Sequence, residues 1–201
     1  MSITNGYATL AQLKSALKIT NSDDDDELEL AIESASRMVD EYTNRRFYTT
    51  EADETRYYAA NRGGLLLLDD DLLTITSLKT DDGGDGTFEN TWTATDYHLL
   101  PYNASADSQP YTSIEVTPYG NYTFPVDVPK SVQIIGTFGY ASSAPTVVQQ
   151  ACLIQAGRLY RRKDAPFGVM GAGEFGQGTI ILRLDPDVRT ILDPYRRVLV
   201  A

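Results

Sequence analysis

The chain has few of the residues on which catalytic and metal sites most often depend. Its 201 residues include one cysteine and one histidine, Cys152 and His98. One cysteine excludes an internal disulfide, and neither zinc-ligand spacing nor a serine–histidine–acid triad can be built from these two residues. Cys152 has apolar neighbours on both sides and is interpreted as a buried small hydrophobe. His98 lies in a strand-like segment and is interpreted as structural.

Long apolar runs and an excess of basic residues are also missing. No apolar run exceeds four residues, whereas a transmembrane helix needs about eighteen, so we expect no membrane partner. The net charge is −11, with −14 in residues 1–157 and +3 in residues 158–201. An acidic body disfavours nucleic-acid binding, which needs cations against phosphates, but it suits a surface that DNA passes without sticking.

Periodic apolar residues and capping residues predict four helices. The clearest, at about Asp26–Asn44, has apolar side chains at steps of three and four residues, which form one helical face. Thr9 and Asp185 are predicted N-caps, and Pro186 suits a first helical position. The other helices are predicted at Tyr7–Leu17, Thr146–Arg162 and Pro186–Tyr195.

The segment between the helices, residues 55–140, is rich in Tyr, Thr, Val, Ile and turn residues, which is typical of an antiparallel β unit. The turn cluster Asp81–Gly86 predicts a long-loop hairpin between Leu73–Thr80 and Trp92–Leu100. Strands are predicted at Thr55–Ala60, Leu65–Asp69, Thr74–Thr80, Thr93–Leu99, Ser113–Thr117 and Ser131–Phe138.

These elements together predict an α+β fold: a mainly helical core of long antiparallel helices, an inserted antiparallel β subdomain and a flexible C-terminal arm. The predicted parts are residues 1–54 (N-terminal helical part), 55–140 (β subdomain), 141–165 (second long core helix), 166–183 (arm and strand) and 184–201 (C-terminal helix).

Pro166–Gly178 is the segment with the most unusual composition. Five of its thirteen residues are glycine, which no packed helix or strand favours. It also carries Phe167, Met170 and Phe175, whose apolar side chains need a cover. We interpret it as a hinged arm whose conformation belongs to an assembly. Its Gly171-x-Gly173-x-x-Gly176 string matches the dinucleotide fingerprint as letters only, because a predicted helix and no strand precedes it.

Charged runs in the chain have both a structural and a functional interpretation. Asp24–Glu27 lies at a predicted helix start and Arg158–Lys163 at a helix end, where the helix dipole favours acids and bases respectively. Alternatively, the acidic run is an exposed negative surface, and the basic run meets an acidic partner or a DNA backbone. The acidic run does not match an EF-hand loop, because the sixth position counted from Asp23 is Leu28, where such a loop needs glycine. The loop Asp81–Asp85 is interpreted as a solvated turn or, alternatively, as a cation site.

The order of these segments resembles a known family. The likeness is carried, in chain order, by Tyr42-Thr43-Asn44-Arg45-Arg46-Phe47, Ala144-Pro145, Arg158-Leu159-Tyr160-Arg161-Arg162-Lys163-Asp164, Pro166-x-Gly168-x-x-Gly171, Leu184-Asp185-Pro186-Asp187-Val188-Arg189 and Leu192-Asp193-Pro194-Tyr195-Arg196-Arg197. The chain is similar in these respects to the head–tail connector (head–tail adaptor) proteins of long-tailed bacteriophages, with the helical half carrying the resemblance.

The resemblance implies a structural virion protein that is not an enzyme and has no cofactor or metal. Copies are expected to form a twelve-fold ring that docks on the portal protein, extends the DNA channel and offers a platform to a downstream neck or tail-terminator protein. The ring is expected at the head–tail interface, after synthesis in the host cytoplasm, with double-stranded DNA passing through it without specific binding.

The resemblance also implies where such a ring makes its contacts. The residues expected to contact a neighbouring copy or the portal are Arg158, Arg161, Arg162, Lys163, Phe167, Met170, Phe175, Arg189, Tyr195 and Arg196. The acidic residues expected to line the channel are Asp23, Asp24, Asp25 and Asp26.

Two other functions are compatible with the same sequence. The chain is alternatively a tail-completion or tail-tube component, in which the β part forms the ring wall. It is alternatively a carbohydrate-binding β module that uses aromatic residues, since these are common in sugar sites as well as in strand cores. Those aromatic residues would be Tyr57, Tyr58, Trp92 and Tyr97.

Overall fold

The computed structural model describes residues 3–164 and 184–197, which fall into two compact units. The helical unit comprises the described residues up to Arg45 and from Ala144 onward, and the β unit comprises Arg46–Ser143. The helices are α1 (Leu10–Leu17), α2 (Asp25–Thr43), α3 (Thr146–Arg161) and α4 (Pro186–Leu192). The strands are β1 (Glu54–Tyr58), β2 (Leu65–Thr80), β3 (Asn90–Thr91), β4 (Tyr97–Leu100), β5 (Tyr111–Val116) and β6 (Val132–Phe138).

Capping residues fix the starts of two helices. At α1, Thr9 Oγ1 accepts a hydrogen bond from Gln12 N at 3.2 Å, and Gln12 Oε1 accepts one from Thr9 N at 2.8 Å. At α4, the Asp185 side chain accepts a hydrogen bond from Asp187 N at 2.9 Å, and Pro186 lies in the first turn. Because these side chains satisfy amides that a first helical turn leaves without a partner, both predicted N-caps are confirmed.

The core of the helical unit lies where α2 packs along α3. The apolar stripe of α2 faces small residues of α3, and α4 adds Val188 and Leu192 to the same core. Ser36 inside this core is satisfied, because its Oγ donates to Ile32 O at 2.8 Å and accepts from Tyr7 N at 3.0 Å. The fully buried apolar side chains of the first three helices are Leu13, Leu28, Ile32, Ala35, Val39, Val148, Ala151, Cys152 and Ala156.

Cys152 is part of this core. It is fully buried, and burial raises the pKa of its thiol. A thiol that is more difficult to ionise is a weaker nucleophile, which agrees with its interpretation as a small hydrophobe.

β2 is the central strand of the β unit. The antiparallel sheet has the order β1-β6-β2-β5-β4, and the short β3 pairs with the end of β2. The second half of β2 pairs with β6 and its first half with β5. β6 alternates strictly, with Val132, Ile134 and Phe138 buried and the side chains between them half-buried, as expected for a strand with one face on a core.

Aromatic side chains close the core of the β unit. Trp92 stacks on Phe124 with 4.7 Å between ring centroids, and its Nε1 donates to Thr80 Oγ1 at 3.1 Å. Leucine and isoleucine from three strands pack beneath them with 0–1% exposure: Leu66, Leu72, Leu78, Ile114 and Ile134.

The chain enters and leaves the β unit side by side. Tyr140 N donates to Arg46 O at 2.8 Å, and Thr50 N donates to Phe138 O at 2.9 Å. The rings of Phe47 and Tyr140 lie 5.1 Å apart, so the first and last segments of the unit are held together by both backbone and side chains.

The predicted fold class is wrong in its main statement. The described residues form four short helices and a six-stranded antiparallel sheet, rather than a mainly helical core with long helices, although the fold is α+β. Even α2 has only nineteen residues. Helical periodicity can be recognised within a few turns, whereas the extent of a sheet depends on pairing between distant residues, such as Thr55 with Ile135. The predicted arm and strand at residues 166–183 lie outside the described residues.

Two strand predictions also need correction. Leu65–Asp69 and Thr74–Thr80 are one strand, β2, because the acidic residues between them are accommodated: Arg56 pairs with Asp70 at 2.9 Å. The predicted hairpin exists only at its base, where Lys79–Thr80 pairs with Asn90–Thr91, and β4 pairs with β5 instead. No helix in the described ranges is long and apolar enough to span a membrane.

Ile134→Ala tests the position of the β core. Ile134 is fully buried on β6, so its truncation leaves a cavity and should lower the free energy of unfolding by about 3 kcal/mol. Urea denaturation followed by the fluorescence of Trp92, the single tryptophan, measures this unit. Leu67→Ala is the control, because Leu67 is 58% exposed and its truncation should cost less than about 1 kcal/mol. Equal effects of the two substitutions would contradict the assigned core.

Candidate assembly surface

The basic end of α3 lies against the acidic start of α2. Lys163 Nζ is 2.8 Å from Asp24 Oδ1 and 2.8 Å from Glu27 Oε2, and Tyr160 OH donates to Asp24 Oδ2 at 2.6 Å. The hydrogen bonds from Lys163 and Tyr160 hold the pKa of Asp24 below its ordinary value. The hydrogen bond of Lys163 with Asp24, and to a smaller extent that with Glu27, raises the pKa of Lys163. The predicted acidic and basic residues therefore meet, but within one chain.

Two other charges of the predicted surface, those of Arg158 and Asp25, are also compensated internally. Arg158 Nη1 pairs with Asp185 Oδ2 at 2.6 Å, and Lys14 Nζ pairs with Asp25 Oδ1 at 2.5 Å. Asp23 accepts a hydrogen bond from Asn21 Nδ2 at 2.6 Å. The remaining predicted acid, Asp26, is exposed.

Arg161 and Arg162 differ from their basic neighbours. Both are exposed at the end of α3, and within the described residues neither makes an ion pair or a side-chain hydrogen bond. Of the predicted basic run, these two arginines are therefore the cations that remain available to a partner.

The C-terminal segment Leu184–Arg197 contacts the end of α2. The guanidinium groups of Arg189 and Arg196 lie 5.9 and 5.1 Å from the centroid of the Tyr42 ring, within cation–π distance. Tyr42 OH donates to Asp193 Oδ1 at 2.5 Å. These contacts place the predicted contact residues Arg189 and Arg196 on the surface of the helical unit, over an aromatic ring of their own chain.

Backbone atoms at and near Tyr195 also hold the C-terminal segment against the end of α2. Arg45 Nε donates to Tyr195 O at 2.8 Å, and Arg197 N donates to Thr43 O at 2.8 Å. The predicted contact residues Phe167, Met170 and Phe175 lie outside the described residues.

The acidic loop after β2 is organised around Asp81. This residue is 3% exposed, and its two carboxylate oxygens accept hydrogen bonds from Gly84 N at 2.6 Å and Gly86 N at 2.7 Å. Carboxylate oxygens of Asp81, Asp85 and Glu89 lie within 4.8 Å of one another. The hydrogen bonds give Asp81 a structural role in closing the turn.

The aromatic residues of the predicted sugar site are not on one exposed surface. Tyr58 and Trp92 are 6% and 5% exposed and belong to the core of the β unit, whereas Tyr57 is 49% exposed. Tyr97 packs partly buried against the same core. The structure therefore does not form an aromatic platform from these four residues.

A rigid turn presents Tyr119 to solvent. The Tyr119 side chain is 95% exposed, whereas Asp96, which organises the turn, is 1% exposed. One carboxylate oxygen of Asp96 accepts hydrogen bonds from Thr93 N at 2.7 Å and Thr93 Oγ1 at 2.6 Å. The other accepts from Asn121 N at 2.9 Å and Asn121 Nδ2 at 3.0 Å. These bonds hold the pKa of Asp96 at about 2.

Glycine completes the same turn. A Cβ at Gly120 would lie 2.8 Å from Asp96 O, so only glycine allows this close approach of the two backbones. Thr117 N donates to Asp96 O at 2.9 Å, and Thr117 Oγ1 donates to Thr95 O at 2.8 Å. The backbone on both sides of Tyr119 is therefore fixed.

Sequence reasoning did not identify Tyr42, Tyr160 or Tyr119 as surface residues of interest. The partners of Tyr42 and Tyr160 are more than 100 residues away in the chain, so no local pattern marks them. For Tyr119 the sequence does contain an indication. It lies between Pro118 and Gly120, and proline and glycine so close together are typical of an exposed turn.

The titration of Asp24 tests the contact between α3 and α2. We expect Lys163→Met to raise the pKa of Asp24 toward its ordinary value, because the contact that lowers this pKa most is lost. Carboxyl-carbon NMR during a pH titration measures this pKa. Arg162→Met removes a neighbouring cation that has no ion pair with described residues and should change it much less. A similar shift in both variants would contradict the specific contact.

The buried carboxylate of Asp96 predicts a pH dependence of stability. Because folding lowers the pKa of Asp96 to about 2, its contribution is present above the ordinary aspartate pKa near 4 and is lost as the pH falls toward 2. Asp96→Asn should lower the thermal midpoint at pH 7, since an amide nitrogen would face donors of Thr93 or Asn121. The difference from the unchanged protein should shrink between about pH 4 and pH 2. A constant difference, or an equal effect of Asp107→Asn at an exposed site, would contradict this role.

The fold of the whole chain is similar to solved virion neck proteins. A chain in the "Neck of native GTA particle computed with C12 symmetry" matches with a TM-score of 0.60 at 18% identity, covering 100% of this chain and 94% of that one. A chain in the "Neck of empty GTA particle computed with C6 symmetry" gives 0.59 at 18% identity, with 100% and 95% covered. A third, from the "Virion of native gene transfer agent (GTA) particle", gives 0.58 at 17% identity, with the same coverage.

The N-terminal part of the chain matches a family at the level of sequence. No curated protein matches the chain. Residues 7–60, which span α1, α2 and β1, match the family model described as Phage gp6-like head-tail connector protein. The resemblance to head–tail connector proteins that the sequence predicts is confirmed over these residues.

Proposed function

We propose that this chain is a structural protein of a virion neck, a head–tail connector that joins the head to the tail. The observation that carries this proposal is the similarity of its entire fold to neck proteins of gene transfer agent particles, one of them solved with C12 symmetry. The connector family match over residues 7–60 supports the same role from the sequence. The role is non-enzymatic, and its location is the head–tail interface of the virion.

In this proposal copies of the chain form a ring, and a dodecamer is the stoichiometry we propose. A ring of identical chains needs two different surfaces that complement each other, because each copy contacts its two neighbours differently. Electrostatics supplies a difference of this kind. The β unit, residues 46–143, has five Lys and Arg against fourteen Asp and Glu, a net charge of −9. The helical unit exposes Arg161 and Arg162, which have no ion-pair partner within the described residues.

The proposed ring extends the DNA channel without binding DNA specifically. The chain has a net charge of −11, so a lumen lined by it repels phosphates and lets the duplex slide. Asp24 and Asp25 contribute less to this repulsion than Asp23, since Lys163 and Lys14 compensate their charges.

The portal protein and a downstream neck or tail-terminator protein are the proposed partners on the two sides of the ring. The predicted contact residues Phe167, Met170 and Phe175 remain proposals for the portal side. A tail-completion or tail-tube component differs from this proposal in position, because it would lie beyond the neck.

Removal of the gene for this chain from the particle that carries it tests the proposal. We expect DNA-filled heads and complete tails that do not join, because the platform between them is missing. Electron microscopy of the particles gives the result, and supply of the unchanged chain from a plasmid should restore joining. Normal joining without the chain would contradict a connector, and tails of abnormal length would favour the tail component.

A further inference from the structure

Tyr119 is the most exposed large apolar side chain in the described part of the protein, at 95% exposure. Its turn is fixed by Asp96, Thr117 and Gly120, as described above, rather than left free to move. An aromatic side chain on a rigid turn loses little conformational freedom when a partner covers it. Aromatic residues of this kind are enriched among those that contribute most to protein–protein binding. The turn therefore holds Tyr119 in a position that a partner could cover at a small entropic cost.

The net charge of the β unit indicates which kind of partner would suit Tyr119. Tyr119 belongs to the β unit, whose net charge is −9, so a basic protein surface is complementary to it and a DNA backbone is not. An arginine guanidinium also stacks well on a tyrosine ring. The chain itself uses this contact, since Arg37 lies 5.8 Å from the centroid of the Tyr7 ring and Arg196 lies 5.1 Å from that of Tyr42.

A second copy of the chain offers the required cations. Arg161 and Arg162 are exposed and have no ion-pair partner among the described residues, whereas the adjacent Arg158 and Lys163 are compensated by acids of their own chain. Arg189 and Arg196 already lie over Tyr42.

We propose that Tyr119 in the β unit of one copy docks on Arg161 and Arg162 in the helical unit of the next copy. The proposal rests on the connector function, for which it supplies the two faces of a head-to-tail contact. Because the faces differ, each copy uses Tyr119 toward one neighbour and its arginines toward the other, and the contact propagates around a ring.

Cross-linking of two purified full-length variants tests the contact even when it is weak. One variant carries Pro118→Cys, beside an intact Tyr119, and the other carries Asp164→Cys, so that Arg161 and Arg162 both stay intact. A short bismaleimide should join them into a heterodimer on a denaturing gel, and the native Cys152 is buried and should not react. Tyr102→Cys replaces Pro118→Cys as the matched control, because Tyr102 is also an exposed residue of the β unit, at 64%.

Further substitutions decide whether the contact depends on the aromatic side chain of Tyr119 and on the charge of Arg162. Adding Tyr119→Ala to the Pro118→Cys variant should lower the heterodimer yield about tenfold, whereas Tyr119→Phe should largely preserve it. Arg162→Glu in the partner should lower it similarly, and so should a rise in salt, since exposed charges are screened. The charge-matched control Arg62→Glu, on the β unit, should leave the yield unchanged, and Trp92 fluorescence verifies that each variant is folded.

The outcomes separate this inference from the connector function. A yield no higher than that of the Tyr102→Cys control, or one insensitive to Tyr119→Ala, overturns the proposed contact even if the chain is found in the virion neck. A specific cross-link with the chain absent from the neck would overturn the connector function and leave the contact standing. Loss of head attachment by Tyr119→Ala with an unchanged cross-link would assign Tyr119 to a different partner and also overturn the inference.

Discussion

The packing of α2 on α3 is the contact on which the helical unit depends. It buries Ile32, Ala35 and Val39 of α2 against small residues of α3, among them Ala151 and Ala156. Small side chains let two helix backbones approach closely, which fixes the end of α3 beside the start of α2. The position of this end then determines which charges find a partner within the chain and which do not.

The consequence for function is a division of the basic residues into two classes. Lys163 and Arg158 stabilise the fold by linking α3 to α2 and to the C-terminal segment. Arg161 and Arg162 lie on the same short stretch but make no ion pair with the described residues. The net charge does not separate these two classes, because it counts every arginine and lysine equally. The classes are distinguished only by the ion pairs that each residue makes in the folded structure.

The sequence predicted the local features of this fold well and the distant ones poorly. The N-caps Thr9 and Asp185 and the stripe of α2 follow from neighbouring residues, and the structure confirms them. The continuity of β2 through Asp69–Asp71 was missed, because it depends on Arg56 and Tyr58 from another strand. The pairing of Lys163 with Asp24 joins residues 139 positions apart, and no pattern in either segment indicates the other. The sequence therefore identifies the charged residues of the candidate surface. It does not show which of them lack an ion-pair partner among the described residues.

The adjacent first and last segments of the β unit have a consequence for how the chain tolerates change. Because Arg46 and Tyr140 are joined by a hydrogen bond, the folded β unit returns the chain to nearly the point from which it departed. Although the β unit inserts about a hundred residues between α2 and α3, the entropic cost of closing this connection is therefore as small as that of a short loop. Such a connection should tolerate a longer, shorter or different β unit while the helices keep their packing.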